Sequence, residues 1–355
     1  MRASPFLMPA ADPSGRARLG YLVGDGIEYG ARLGFAFAQP VTISASYVAG
    51  LLPARATRAR VFRARLKQDG SLIRLPDLVL PPHLKVCALA LHGPYLYVGG
   101  AFAWPRRSAV RAGATGGRLD LREEQPRWEP LVLPGPCEPG KAIDDVLVDD
   151  QNLVLVDNIV FPKYLFVYPW PSDGGLPADP QVVELPFSRV YEHIVKGQMS
   201  AGYVALLSTS VGEGGVGVYI SVLRRGDWAP VVVLAFEQSR TEIWDQELAG
   251  ESPSLDERPF DLALQDHQLV LACGGALLYV DLRAFPAPPA SLPGAEAECP
   301  EVDLRNRTPF PGGHWQTLAP HEQPGRIRFV ATGRLLLASS GDGAGTPGRA
   351  WLHHV

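Results

Sequence analysis

Residues 146–158, VLVDDQNLVLVDN, read as an apolar strand, a short polar turn and a second apolar strand. The pattern returns without a gap at 262–274, LALQDHQLVLACG, and more loosely at 89–100, LALHGPYLYVGG. A unit of this kind cannot bury its own faces, so a chain that repeats it must stack the copies on one another. Six such pairs occur, within 31–50, 86–102, 142–158, 193–210, 259–275 and 326–343. Their second strands recur about 59 residues apart, a long version of the roughly 40–50-residue blade-type repeats, with room for inserted loops.

Each pair is followed by a third apolar or alternating run, such as RVFRARL at 60–66, GRLDLRE at 117–123 and ALLYVDLR at 276–283. Alternation is what a half-exposed strand requires. A fourth run follows in five repeats, as in IRLPDLVLP at 73–81, WEPLVLP at 128–134 and EVDLR at 301–305. Several carry proline, which has no N–H to donate and is tolerated on an outer edge strand. The 37 glycines and 34 prolines are spread between apolar runs, as many short strands and turns demand.

Four antiparallel strands repeated six times predict an all-β fold, a six-bladed β-propeller forming a single domain over 1–355. Its blades are expected at 31–81, 86–134, 142–186, 193–237, 259–305 and 326–355. The last repeat supplies only three strands, ending in RAWLHHV at 349–355. The spare apolar run RARLGYLVGDG at 16–26 is expected to pair with it, closing the ring and removing an exposed edge. One helix is expected in SRTEIWDQELAG at 239–250, capped by Ser239 or Thr241 and stopped by a glycine.

The pattern resembles the β-propeller superfamily over essentially the whole chain. LYVGGAF at 96–102, echoed by ACGGAL at 272–277, is similar to the double-glycine strand of kelch blades. Trp244-Asp245 does not sit at a strand end, as the dipeptide of WD-repeat blades does. The likeness is one of architecture and stops at the superfamily.

The net charge of −4 is small and mixed in sign, without the basic stripe of a nucleic-acid binder. The one basic run, ARATRARVFRARLK at 54–67, alternates with apolar residues and reads as a solvated strand face. No run approaches the roughly 18 apolar residues of a membrane span. The N-terminus lacks the apolar core of a signal peptide. Cys87, Cys137, Cys273 and Cys299 lie far apart, and Cys87 and Cys273 fall in apolar runs where a thiol acts as a small hydrophobe. A reducing compartment fits. The expectation is a cytoplasmic protein with neither nucleic acid nor membrane as partner, its oligomeric state left open.

In a blade of strands a to d, the b–c and d–a connections share one end of the ring. Here those loops are mostly long and the a–b turns tight. The loop-rich end is expected to collect Trp104, Arg106, Arg107, Tyr191, His193, Trp244, His314, Trp315 and His321. Trp, Tyr and Arg dominate interface hot spots, and long loops on a rigid scaffold commonly carry function. The leading expectation is a non-catalytic scaffold that binds a protein partner through this face and needs no cofactor.

The densest acidic cluster is Asp144, Asp145, Asp149, Asp150, Asp157 and Asn158. Asp149 and Asp150 fall in a tight turn, where such residues are ordinary turn formers. Asp144, Asp157 and Asn158 lie toward the other end of the same strands and are the candidate ligands for Ca²⁺, a hard cation that takes several oxygens. Six-bladed propellers include calcium-dependent lactonases and esterases, so the resemblance implies, as the alternative, a hydrolase or lactonase with Ca²⁺ at the channel mouth. GEGGVGV at 212–218 reads as a hairpin rather than a phosphate loop, because no helix follows it.

Overall fold

The structure is a computed structural model and describes residues 5–9, 16–23, 25–36, 40–53, 58–102, 116–131, 142–157, 163–170, 179–185, 192–212, 215–248, 258–285, 299–319, 322, 324–339 and 349–355. The chain divides into two compact units, one of Met1–Ile159, Tyr164–Val183 and Ala338–Leu352, the other of Val160–Lys163, Glu184–Leu337 and His353–Val355.

Seven small sheets follow one another along the chain. The first holds β1 (Phe6–Pro9), β2 (Arg16–Val23) and β3 (Gly26–Ala36). The second holds β4 (Val41–Ile43), β5 (Tyr47–Leu51), β6 (Arg58–Leu66), β7 (Leu72–Arg74) and β8 (Leu78–Pro82), with β7 and β8 both paired to β6. The third holds β9 (Leu84–His92), β10 (Tyr95–Phe102), β11 (Gly116–Asp120) and β12 (Glu129–Leu131). The fourth holds β13 (Ile143–Val148), β14 (Asn152–Asp157), β15 (Tyr164–Pro169) and β16 (Gln181–Glu184).

The fifth is built on β17 (Glu192–Met199), β18 (Tyr203–Gly212), β19 (Gly215–Arg224) and β20 (Pro230–Ser239), which runs into α1 (Arg240–Leu248). The sixth begins with β21 (Asp261–Gln265), β22 (Gln268–Cys273) and β23 (Ala276–Asp281). Then β24 (Glu301–Asp303) returns to the fifth sheet, pairing in parallel with β20, and β25 (Gly313–Thr317) completes the sixth. The seventh holds β26 (Arg326–Ala331), β27 (Arg334–Ser339) and β28 (Arg349–His354).

The expected all-β propeller of small antiparallel sheets is therefore present, with seven blades instead of six. Residues 16–26 do not complete the last blade, as the sequence suggested. They form β2 and the turn into β3, and β2 also pairs with β1 in a blade of its own. A hairpin closes a short loop, whereas pairing with β28 would close one of more than 300 residues, and closure entropy grows with length. Residues 31–36, expected to open the first blade, end β3, so that blade begins at Val41. The run 73–81 is split at Leu75–Asp77 into β7 and β8, which share the edge of β6.

The run 301–305 is not the fourth strand of its expected blade. Leu304 donates its N–H to the Ala235 carbonyl at 2.7 Å and is buried in the cluster containing Val232 and Leu234. The vacated place goes to β25, which brings His314 and Trp315 out of the expected d–a loop and onto a strand.

The repeated pair behaves as its composition dictates. Leu153, Val154, Leu155 and Val156 of β14 are all fully buried, as are Leu269, Val270, Leu271 and Ala272 of β22. Strands covered on both faces show continuous apolar runs rather than alternation. The turn acids also do what turn acids do: Asp149 Oδ1 accepts from the N–H groups of Gln151 at 2.8 Å and Asn152 at 2.9 Å. At 212–218 the glycines join β18 to β19 with Gly212 opposite Gly215.

The expected helix is α1. Ser239 Oγ accepts from the Glu242 N–H at 3.2 Å, and the Glu242 carboxylate accepts from the Ser239 N–H at 2.7 Å, a reciprocal capping box. Cys273 is buried in the core, Cys87 is half-buried on β9, and Cys137 lies outside the described residues.

A candidate binding cleft on the sixth sheet

Side chains alternate between the faces of a strand, and this places two different surfaces on the sixth sheet. On one face Leu269, Leu271 and Leu278 join the core, with Trp315 packed against them. Directly opposite one another on the other face stand Tyr279 of β23 and His314 of β25, ring centroids 6.4 Å apart. Gln316 is two residues further along β25 and shares the His314 face. On β22, Gln268 pairs with Asp281. Together with His354 and Val355 these residues line a cleft of about 380 Å³, within the usual range of small-ligand sites.

The walls are held from behind. Asp281 caps the 3₁₀ turn Leu282–Ala284, accepting from the Arg283 N–H at 3.0 Å. The same carboxylate is gripped by the Arg283 guanidinium at 2.7 Å, and this bond holds its pKa down at about 2. The turn into β25 requires glycine at 312, where φ is +78° and a Cβ would lie 2.5 Å from the Ala284 Cβ. Val355 donates its N–H to the Gly333 carbonyl at 3.0 Å, and His353 Nε2 lies 3.6 Å from a Glu322 carboxylate oxygen.

Because the folded-state pKa of Asp281 is depressed, its contribution is complete above the ordinary carboxylate value of about 4. It is lost as the pH falls toward about 2. An NMR pH titration should show the 282–284 turn fraying only within that window.

The Tyr279 hydroxyl is buried and, among the described residues, has no hydrogen-bond partner. Burial pushes its pKa up to about 12, so it is a neutral phenol. An unsatisfied buried hydroxyl costs about 1–3 kcal/mol. On the opposite face the Trp315 Nε1–H is likewise buried with no partner among the described residues, and the Arg307 guanidinium stands 5.6 Å from the indole centroid.

Of the residues expected to form a loop-rich binding face, His193 is exposed on β17, opposite Thr209. His314 and Trp315 are adjacent on β25 and point to opposite faces. Trp244 is in α1, and its side chain lies outside the described residues, as do Trp104, Arg106, Arg107, Tyr191 and His321. Asp157 is fully buried on β14 and Asp144 is half-buried on β13, while Asn158 lies outside the described residues. Among the described residues no three His, Cys, Asp or Glu side chains converge as a metal site would require.

Sequence reasoning missed Tyr279, Gln268, Gln316 and Asp281 as a group. The available signal was Tyr279, the one phenol in the apolar run ALLYVD, set against the alternation of His and Gln with Trp in GHWQT.

No helix among the described residues is long and apolar enough to cross a membrane. No protein-family model matches the chain, and no curated protein matches it. Among solved structures it is similar to a protein from Lactobacillus plantarum, with 13% identity, TM-score 0.44, 85% of this chain and 98% of that one. It is also similar to apo AztD from Citrobacter koseri, with 10% identity, TM-score 0.43, 95% of this chain and 89% of that one. Aldose sugar dehydrogenase from Streptomyces coelicolor, in its PQQ-bound form, gives 13% identity, TM-score 0.36, 99% of this chain and 95% of that one. Similarity at these levels transfers no function. The seven sheets themselves identify the chain, at the level of architecture, as an all-β protein of propeller-type blades.

Proposed function

We propose that this chain is a non-catalytic binding protein and that the cleft on its sixth sheet receives an extended segment of a protein partner. The observation that carries the reading is the pairing of Tyr279 with His314 across β23 and β25 in a cleft of about 380 Å³. β25 is the last strand of its sheet, so its second backbone edge faces away from β23. A peptide added there gains main-chain hydrogen bonds, and its alternate side chains fall on the His314 and Gln316 side. The imidazoles of His314 and His354 then supply hydrogen bonds, the Tyr279 ring backs His314, and the carboxylate of Asp281 repels acidic partners.

Affinity capture with the intact chain and the variants Tyr279→Ala and His314→Ala tests this. Truncating an interface anchor weakens binding by about 2 kcal/mol or more, roughly thirtyfold. Both variants should therefore lose the partner captured by the wild type, with circular dichroism unchanged. Undiminished capture by both variants would overturn the assignment. If Trp104→Ala and Arg106→Ala abolish capture instead, the partner uses the loop-rich face expected from the sequence.

A further inference from the structure

The glycine-rich run 212–218 strips the side chains from one end of the fifth sheet. Ser210 of β18, Gly217 of β19 and Glu237 of β20 stand directly opposite one another, and so do Ser208, Tyr219 and Ala235 two residues further along. Residues opposite one another, and residues two apart on a strand, share a face of the sheet. On that face the central strand presents Gly215 and Gly217, while its neighbours present Ser210, Glu237 and Ser239. A Cβ on Gly217 would stand 2.4 Å from the Tyr219 hydroxyl. Glycine there lets the phenol lie back along β19 and donate to Glu237 Oε1 at 2.6 Å. Gly215 has φ of +139°, and a Cβ on it would stand 2.1 Å from the Gln238 carbonyl oxygen, so this position also requires glycine.

Two further elements wall the bare patch. α1 brings Glu242, fixed by its capping box with Ser239. The turn after β24 brings Arg305, whose guanidinium is gripped by Asp303 at 2.8 Å and lies 3.5 Å from Glu242 Oε1. Among the described residues these groups line a cleft of about 370 Å³, within the range of small-ligand sites. Such sites are mostly lined by hydrophobic and aromatic side chains. This one is lined chiefly by hydroxyls, carboxylates, an amide and a guanidinium around a single phenol. The carboxylates accept, the guanidinium donates, and the serine hydroxyls do both. A small anion entering here meets Glu237 and Glu242, and a small cation meets Arg305. A neutral ligand rich in hydroxyls finds partners of both kinds, because each of its O–H groups donates and accepts.

We propose that this cleft binds a sugar or a similar polyol, the Glu237 and Glu242 carboxylates accepting from its hydroxyls and Arg305 donating to them. Hydrogen bonds to an ionised acceptor are roughly twice as strong as neutral ones, so the two carboxylates supply most of the affinity. The cleft is separate from the one around Tyr279 and His314 and stands or falls without it.

The test is saturation-transfer NMR of the intact chain, titrated separately with D-glucose, D-galactose, D-mannose and D-ribose, and with putrescine as a cationic control. Saturable binding is expected for at least one sugar and not for putrescine. Glu237→Ala should weaken that binding about tenfold or more, the effect of losing a charge-assisted hydrogen bond. Glu237→Gln, which keeps one acceptor oxygen, should weaken it less. Gly217→Ala should weaken it as well, because the added methyl displaces the Tyr219 hydroxyl from Glu237. The absence of a saturable signal with all of these sugars, an affinity that Glu237→Ala leaves unchanged, or binding of putrescine in place of the sugars would overturn the proposal. If Gly217→Ala fails to fold, the two Glu237 variants still decide the question, since that side chain is exposed.

Discussion

Arg63→Met is expected to destabilise the chain by about 3–5 kcal/mol. Arg63 is among the largest fully buried side chains, on the central strand β6 of the second sheet. Among the described residues its guanidinium donates to carbonyl oxygens alone. Nε donates to Pro76 at 2.8 Å, Nη1 to Glu123 at 2.9 Å and Leu121 at 3.4 Å, and Nη2 to Glu124 at 2.6 Å. Desolvation lowers its pKa, partly offset by Tyr47 and Glu124.

Methionine fills much of the volume but removes four donors at once; the Leu121 carbonyl is buried and the others are partly so, and each acceptor that water does not reach carries its own desolvation cost. Lysine retains the charge and three donors but cannot span the arc from Pro76 to Glu124, so Arg63→Lys should fall between methionine and the wild type. Denaturant titration measures the loss, and hydrogen exchange locates it, with the amides of 121–125 deprotected first. An unchanged midpoint in Arg63→Met would refute the role assigned to this side chain.

Asp261→Ala should cost a similar amount for a different reason. The carboxylate is 7% exposed, and removing it strands the Lys196 ammonium and the Ile327 N–H together. Breaking a buried pair from one side costs about 3–5 kcal/mol, because the remaining charge has lost its partner. Asp261→Asn keeps an acceptor for Ile327 and should lose less. The double variant Lys196→Met/Asp261→Leu removes both charges and should recover much of the loss, since a well-packed apolar pair is often as stable as the ion pair it replaces. Denaturant midpoints for the wild type, Lys196→Met, Asp261→Leu and the double variant complete a double-mutant cycle, and additive losses would show that the two groups do not depend on each other.

Much of the fold is written in the strand pairs, because strands covered on both faces need continuous apolar runs, and LVLV at 153–156 or LVLA at 269–272 can hardly do anything else. The first blade was missed where glycine hides the pattern. A Cβ on Gly20 would stand 2.6 Å from the Phe6 ring, and one on Gly30 would stand 2.7 Å from the Tyr21 ring. Aromatic rings occupy the space where side chains would have marked a periodicity. The outer strand β25 was missed for the opposite reason: GHWQT is largely polar because most of it faces outward. The cleft depends on that strand, so its residues could not be grouped before β25 was found. Asp149 was legible from turn chemistry alone. The loop-rich face rests on connections that share no repeat and obey no period.

The return of β24 to the fifth sheet has a consequence for synthesis on the ribosome. β20 is made well before Glu301–Asp303, the segment that covers its outer edge. A nascent chain that has emerged only as far as the sixth blade carries a ten-residue strand, PVVVLAFEQS, with a row of unpaired backbone groups. Such an edge is a template for a neighbouring chain on the same message. Slow translation across 250–300 would lengthen that exposure, and chains truncated before Glu301 should aggregate where the full-length chain does not.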